Sequence, residues 1–246
     1  MDKFFIVTGC GRSGTGFLAN LLAANAVNCG HESVFKPDRF DNSEFARLAA
    51  DSSWFAPLWI KDLPNPENVP VLHLTRKPED VIQSFYRMRV FAESAWPHVF
   101  SNNYDPLVIA KRVMKFGSLH QRIGYVNKIR SAIAENTEVF DQVGEVGRCV
   151  RYWVEWNSLV ESVASEHGCP YLRVRIEDLE YESVLEGVAA HLSVGSLKLK
   201  GGADKNLKRN YPSRELVDLR QVQRSEYLKM EELKSRYGYG DLHVEN

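Results

Sequence analysis

Cysteine is scarce in this chain. Cys10, Cys29, Cys149 and Cys169 are four in 246 residues, and none stands in a CxxC pair. That excludes a disulfide scaffold and makes reduced thiols, and with them a cytoplasmic location, the expectation. Long apolar runs are missing as well. A membrane span needs ~20 consecutive apolar residues, and the opening run from Phe4 to Val7 is followed at once by Thr8 and Gly9. Preceded by Asp2 and Lys3, it is neither a signal-peptide core nor an anchor, so no membrane partner is expected. A dominant charge is absent too: 31 Lys and Arg face 32 Asp and Glu. No global field draws nucleic acid, and any anion site must be assembled locally. Repeats and low-complexity tracts are lacking, and no His/Cys/Asp grouping has metal-ligand spacing, so no metal is expected.

What is present is an ordinary globular composition, 44% hydrophobic and 26% charged. The length suits one sizeable core, and residues 1–246 are expected to form a single domain. Apolar runs and helical periodicities alternate. FFIVTG reads as a strand buried on both faces, and TGFLANLLAANA as the helix after it. AVNCGH is a weaker strand. After the polar stretch from Ser33 to Ser53, FAPLWIKDLP reads as a short extended segment stopped by Pro64 and Pro66. VPVLHLTR is the next strand, and KPEDVIQSFYRMRVF a helix with Pro78 in its first turn. An aromatic loop is expected from Ala92 to Pro106, then a helical region through Lys128 and Ile129, and a second helix from Arg148 to His167. CPYLRVRIEDL is a strand leading into a helix, and a charged helix from Ser213 to about Arg236 closes the chain. This order predicts an α/β fold of three layers, P-loop NTPase-like, with a mainly parallel central sheet and ligands at the carboxyl ends of its strands.

The segment FFIVTGCGRSGTG carries the sharpest chemistry. Gly9, Gly11, Gly14 and Gly16, between a strand and a helix, expose successive backbone N–H groups at the helix's positive end, which makes an anion cradle. Gly9 and Gly14 have the spacing of a P-loop. A nucleoside-triphosphate loop also needs a Lys and then a hydroxyl for magnesium, and Thr15 and Gly16 stand there instead. Arg12 and Ser13 favour an anion inside the loop, because a guanidinium among amide donors needs an acceptor to share the space.

The string GxxRSGT after a first strand resembles the 5′-phosphosulfate loop of the sulfotransferases that use 3′-phosphoadenosine 5′-phosphosulfate (PAPS). A second segment, LTRKPEDVIQSFYRMR, is similar to that family's 3′-phosphate segment, an Arg ending a strand and a Ser eight residues on, here Arg76 and Ser84. CGHES resembles the place of the catalytic Glu in tyrosylprotein and heparan-type sulfotransferases, which puts Glu32 in that position. LWIKDLP is similar to the segment supplying an active-site Lys in the tyrosylprotein branch, here Lys61, and YLRVRIEDL to a strand and EDL segment these enzymes share. The resemblance runs from about Phe4 to Leu179.

It implies transfer of a sulfuryl group from PAPS to a hydroxyl or amine by in-line displacement, leaving 3′,5′-adenosine bisphosphate, with no metal. Gly11, Arg12, Ser13, Gly14, Thr15 and Gly16 would hold the 5′-phosphosulfate, and Arg76 and Ser84 the 3′-phosphate. Lys61 and Arg12 would neutralise charge on the leaving group. Glu32 is the expected general base and His31 its rival, with Asp62 a third candidate. On an extended segment adjacent side chains point opposite ways, so only one of His31 and Glu32 should face the donor. Lys205, Lys208 and Arg209 stand where a late basic loop covers the 3′-phosphate in the family, and read equally as a solvated charge run. Lys111, Lys115 and Arg122 read first as an exposed polar face, Trp153 and Trp156 as core, and His73 as a satisfied core histidine. The acceptor, whether carbohydrate, small alcohol or tyrosine-type, is not written in the sequence, and neither is an oligomeric state. A P-loop small-molecule kinase and a non-catalytic nucleotide-binding protein of the same fold are the alternatives.

Overall fold

The computed structural model describes residues 4–92, 131, 142–199 and 216–240. The chain divides into two compact units, one of residues 1–76 and 156–208, the other of residues 77–155 and 209–246.

In the first unit the short apolar runs become strands: β1 (Phe5–Thr8), β2 (Cys29–His31), β3 (Ala50–Ser52), β4 (Val71–Thr75) and β5 (Tyr171–Arg175). They form one sheet in the order β2-β3-β1-β4-β5, and every pairing is parallel. Alternation along the strands separates two faces. Phe5, Val7, Leu72, Leu74 and Val174 pack against Leu18, Leu21 and Leu22 of α1 (Thr15–Ala24) and Leu185, Val188 and Leu192 of α5 (Glu182–Leu192). On the other face His73 meets Asn157, in the second half of α4 (Glu145–Glu166). Helices therefore flank both faces, the three-layer α/β arrangement expected from the alternating pattern.

The connection after β1 runs through α1 to β2 on one side, while β4, on the other side of β1, leads on to β5. Chain direction thus diverges between the carboxyl ends of β1 and β4. That is the switch point at which such sheets bind ligands.

Three readings of the sequence need correction. The stretch from Ser33 to Ser53 contains α2 (Asn42–Arg47), capped by the Asp41 carboxylate, and also β3. β3 escaped notice because Asp51 and Ser52 are polar, yet both are fully buried beside β1. FAPLWIKDLP is not extended: it winds into tight turns at Ala56–Leu58 and Ile60–Asp62, with Pro57 fixing the entry of the first. The last helix, α6, spans Arg224–Arg236 rather than starting at Ser213. Before it, the Asp218 carboxylate caps a separate turn at Leu219–Gln221.

His73 is fully buried and satisfied. Its Nε2–H donates to Asn157 Oδ1 at 2.9 Å, and its Nδ1 accepts from the Tyr171 hydroxyl at 2.7 Å. Burial pushes its pKa down to about 3 against the opposing Asn157 hydrogen bond. The folded chain therefore refuses a proton that the unfolded chain accepts below ~6.5. Stability should fall by roughly 1.4 kcal/mol per pH unit as pH drops from there towards 3. In His73→Gln this slope should be gone from a plot of Tm against pH.

The second unit contains α3 (Pro78–Met88), begun by Pro78 and carrying Glu79 and Asp80 at its positive end. Phe85, Phe91 and Tyr152 cluster there, with ring centroids 4.6–5.5 Å apart. The Arg151 guanidinium grips buried Glu226 through two bonds of 3.0 and 2.6 Å, which hold α6 to the first half of α4. Trp153, against Tyr237, and Trp156, whose Nε1 donates to Trp54 O, are both fully buried, each in its own unit.

Candidate functional site

The loop Gly9 to Gly14 leaves β1 at the switch point. Gly9 is obligatory, since a Cβ there would overlap the backbone carbonyl oxygen of Leu74. Arg12 is left-handed (φ 73°), as is Gly14 (φ 106°), which caps α1 with no side-chain bond to its first turn. The N–H groups that open a helix have no intrahelical acceptor, so the first turn of α1 leaves backbone donors at the end of this loop. Inside the loop the Ser13 hydroxyl is fully buried and without a hydrogen-bond partner, as is that of Thr8 at the end of β1. Buried hydroxyls are nearly always bonded. Both hydroxyls stand at this loop without an acceptor among the described residues.

Neighbouring strands complete the setting. Arg76, directly after β4, donates from Nη1 to the Arg12 carbonyl at 3.4 Å, so the β4 terminus and the loop meet. Ile176, directly after β5, lies against Gly14, and a Cβ at Gly14 would strike its Cδ1. Burial pushes the Cys10 thiol up to about 12. It is packing material in the loop, not a nucleophile.

β2 ends at His31, which is exposed. Its Nε2 is 3.3 Å from where a Cβ on Gly16 would stand, so the imidazole borders the first turn of α1. Glu32 is not on an extended segment: its φ is 55°, so alternation does not decide between the two residues. Its N–H bonds Ser52 O at 3.2 Å, and its Oε1 accepts from Trp54 Nε1 at 2.9 Å. Among the described residues no hydrogen bond is made to Oε2, which leaves it the more open of the two oxygens.

Asp51, missed in the sequence, is a fully buried carboxylate on β3. Burial raises its pKa, opposed by backbone N–H bonds from Phe35, Ser33 and Val34 and by the charge of His31. Both oxygens are taken by those three N–H groups, at 3.1 Å each. It is therefore a structural clamp and not an open ligand for magnesium. Among the described residues no group of three or more His, Cys, Asp or Glu could hold a metal ion.

Two more of the expected residues lie among the described ones. Lys61 is exposed in the turn Ile60–Asp62 and bonds neither Glu32 nor the loop. Ser84 lies half-buried on α3 of the second unit. Lys205, Lys208 and Arg209 fall outside the described residues, as do Lys111, Lys115, Arg122 and most of the aromatic segment from Ala92 to Pro106. No helix among the described residues is long and apolar enough to cross a membrane, and no disulfide joins the four cysteines. No protein-family model matches this chain and no curated protein matches it, so what the site does has to be read from these residues.

Proposed function

We propose that the protein is a sulfotransferase that moves a sulfuryl group from PAPS to a hydroxyl or amine acceptor. The observation that carries the reading is the loop at the switch point. It brings together the amides that open α1 and the Ser13 hydroxyl, in a loop whose sequence carries Arg12 and no lysine. Such a set suits an anion that arrives already activated and without a metal.

PAPS supplies the activated sulfuryl group. The chain's own residues do the rest: the first turn of α1 and Ser13 bind and orient the 5′ end, with Arg12 beside them neutralising charge as it builds. Arg76 takes the 3′-phosphate in this reading. Glu32 Oε2 removes the acceptor proton while Trp54 fixes its partner oxygen. His31, beside Gly16, is the second titratable group within the site.

Thermal-shift titration tests the donor. 3′,5′-Adenosine bisphosphate should raise Tm, with about 2.7 kcal/mol of added stability at a hundred times its Kd. Arg76→Ala should weaken that binding about 10- to 100-fold, the worth of a hydrogen bond to a charged group. Stabilisation by ATP with Mg²⁺ alone, with none by the bisphosphate, would instead favour a P-loop kinase. Binding of the bisphosphate without transfer to any acceptor would favour a non-catalytic nucleotide-binding protein.

A further inference from the structure

Asp51, Ser52 and Ser53 form a polar tripeptide with no exposed surface, and the chemistry above leaves it without a task. Four consecutive backbone N–H groups converge on it. Glu32 N–H meets Ser52 O at 3.2 Å, Ser33 N–H meets Asp51 Oδ1 at 3.1 Å, and those of Val34 and Phe35 meet Asp51 Oδ2 at 3.1 Å each. A run of successive N–H groups is an anion nest, and the chain's own carboxylate fills this one. Ser53 Oγ adds a bond to Phe35 O at 2.8 Å. Gly30 makes room, since a Cβ there would stand 2.6 Å from Asp51 Oδ1.

The same tripeptide also reaches the donor side. Ser52 Oγ donates to the carbonyl of Thr15, the first residue of α1, at 2.7 Å. Glu32 adopts a left-handed backbone that side-chain-bearing residues seldom take, and it does so immediately before the nest begins. A turn of that kind persists only where its surroundings over-determine it.

We infer that Asp51 is a positioning residue, whose carboxylate, by binding the N–H groups of Ser33 to Phe35, fixes the turn at Glu32 and so sets where the base stands relative to the anion loop. The inference rests on the sulfuryl-transfer reading with Glu32 as base. Asp51 touches neither donor nor acceptor and acts through Glu32.

The test is Asp51→Asn, which keeps the size of the side chain but turns an amide NH₂ towards backbone donors. Its kcat should fall about 10- to 100-fold, the effect of a misplaced catalytic group, with the affinity for 3′,5′-adenosine bisphosphate unchanged. In a Glu32→Gln background the same change should cost nothing further, because residues that act as a unit are not additive. A readout independent of activity is the Trp54 indole N–H resonance, assigned by its loss in Trp54→Phe. It should shift in Asp51→Asn, since that N–H bonds Glu32. Asp51→Ser, with space in place of a misplaced donor, serves with the same readouts if the Asn variant does not fold. Wild-type kcat with an unmoved Trp54 resonance would overturn the inference, and so would an equal slowing of the Glu32→Gln variant. Full activity in Glu32→Gln, or no transfer by the wild type to any acceptor, would count against the reading of the base or of the function. In either case the Trp54 resonance alone decides the clamp.

Discussion

Glu32→Gln is expected to lower kcat for sulfuryl transfer by about 10²- to 10⁴-fold, the usual contribution of a general base, and to leave donor affinity nearly untouched. The substitution is selective. Gln keeps the volume and an oxygen that can still accept from Trp54 Nε1, so the hydrogen bond that holds the side chain survives. What disappears is the capacity of the second oxygen to take a proton. Single-turnover rates beside titration with 3′,5′-adenosine bisphosphate separate the two effects. A Glu32→Gln variant that turns over normally, with His31→Ala inactive, would move the base one residue back, to the imidazole beside Gly16.

Gly9→Ala should do comparable damage by another route. The added methyl would overlap the Leu74 carbonyl oxygen, and it would also stand 2.6 Å from Ser13 Oγ. The first obstacle is backbone in the middle of the sheet and cannot rotate aside, so either β4 or the loop must move. Overpacking of this kind costs about 1–3 kcal/mol, which at this chain length lowers Tm by some 2–4 °C per kcal/mol. Ser13 is displaced with it, so the stabilising response to 3′,5′-adenosine bisphosphate should also vanish. Gly187→Ala is the control: it lies within α5 with nothing within 4 Å of the new Cβ, and should not destabilise. Wild-type Tm and ligand response in Gly9→Ala would show that the loop does not depend on this close approach.

The parts of the fold that could be read in advance are those in which burial and hydrophobicity coincide. β1 and β4 are mostly apolar and are buried from end to end, so the pattern of side chains reports the strand directly. β3 breaks that link. Its three residues include Asp51, which accepts from N–H groups distant in sequence, and Ser52, which donates to the distant Thr15 carbonyl, and nothing local announces such partners. The site divides in the same way. Glycine spacing marked the loop after β1, because glycine records where the backbone must bend or come close. The clamp on Glu32 was invisible because its donors are peptide N–H groups, which every residue but proline possesses. The left-handed backbone of Glu32 was hidden for a related reason: a residue that favours other conformations is held there by the neighbouring strand, not by its own preference.

The order of the strands carries a consequence for how this protein could change over generations. Among the described strands β2 lies at one edge, and the residues that would receive an acceptor hang from its end, while the glycine loop springs from the middle of the sheet. A lengthened or rewritten segment after Phe35 would alter the border of the sheet and leave its centre standing, provided Asp51 kept its grip on the turn before it. The same liberty taken after β1 would strike Leu74, Ile176 and α1 together. Under the proposed function, new acceptors would therefore be acquired by drift at the margin, whereas the donor would be fixed by the architecture itself.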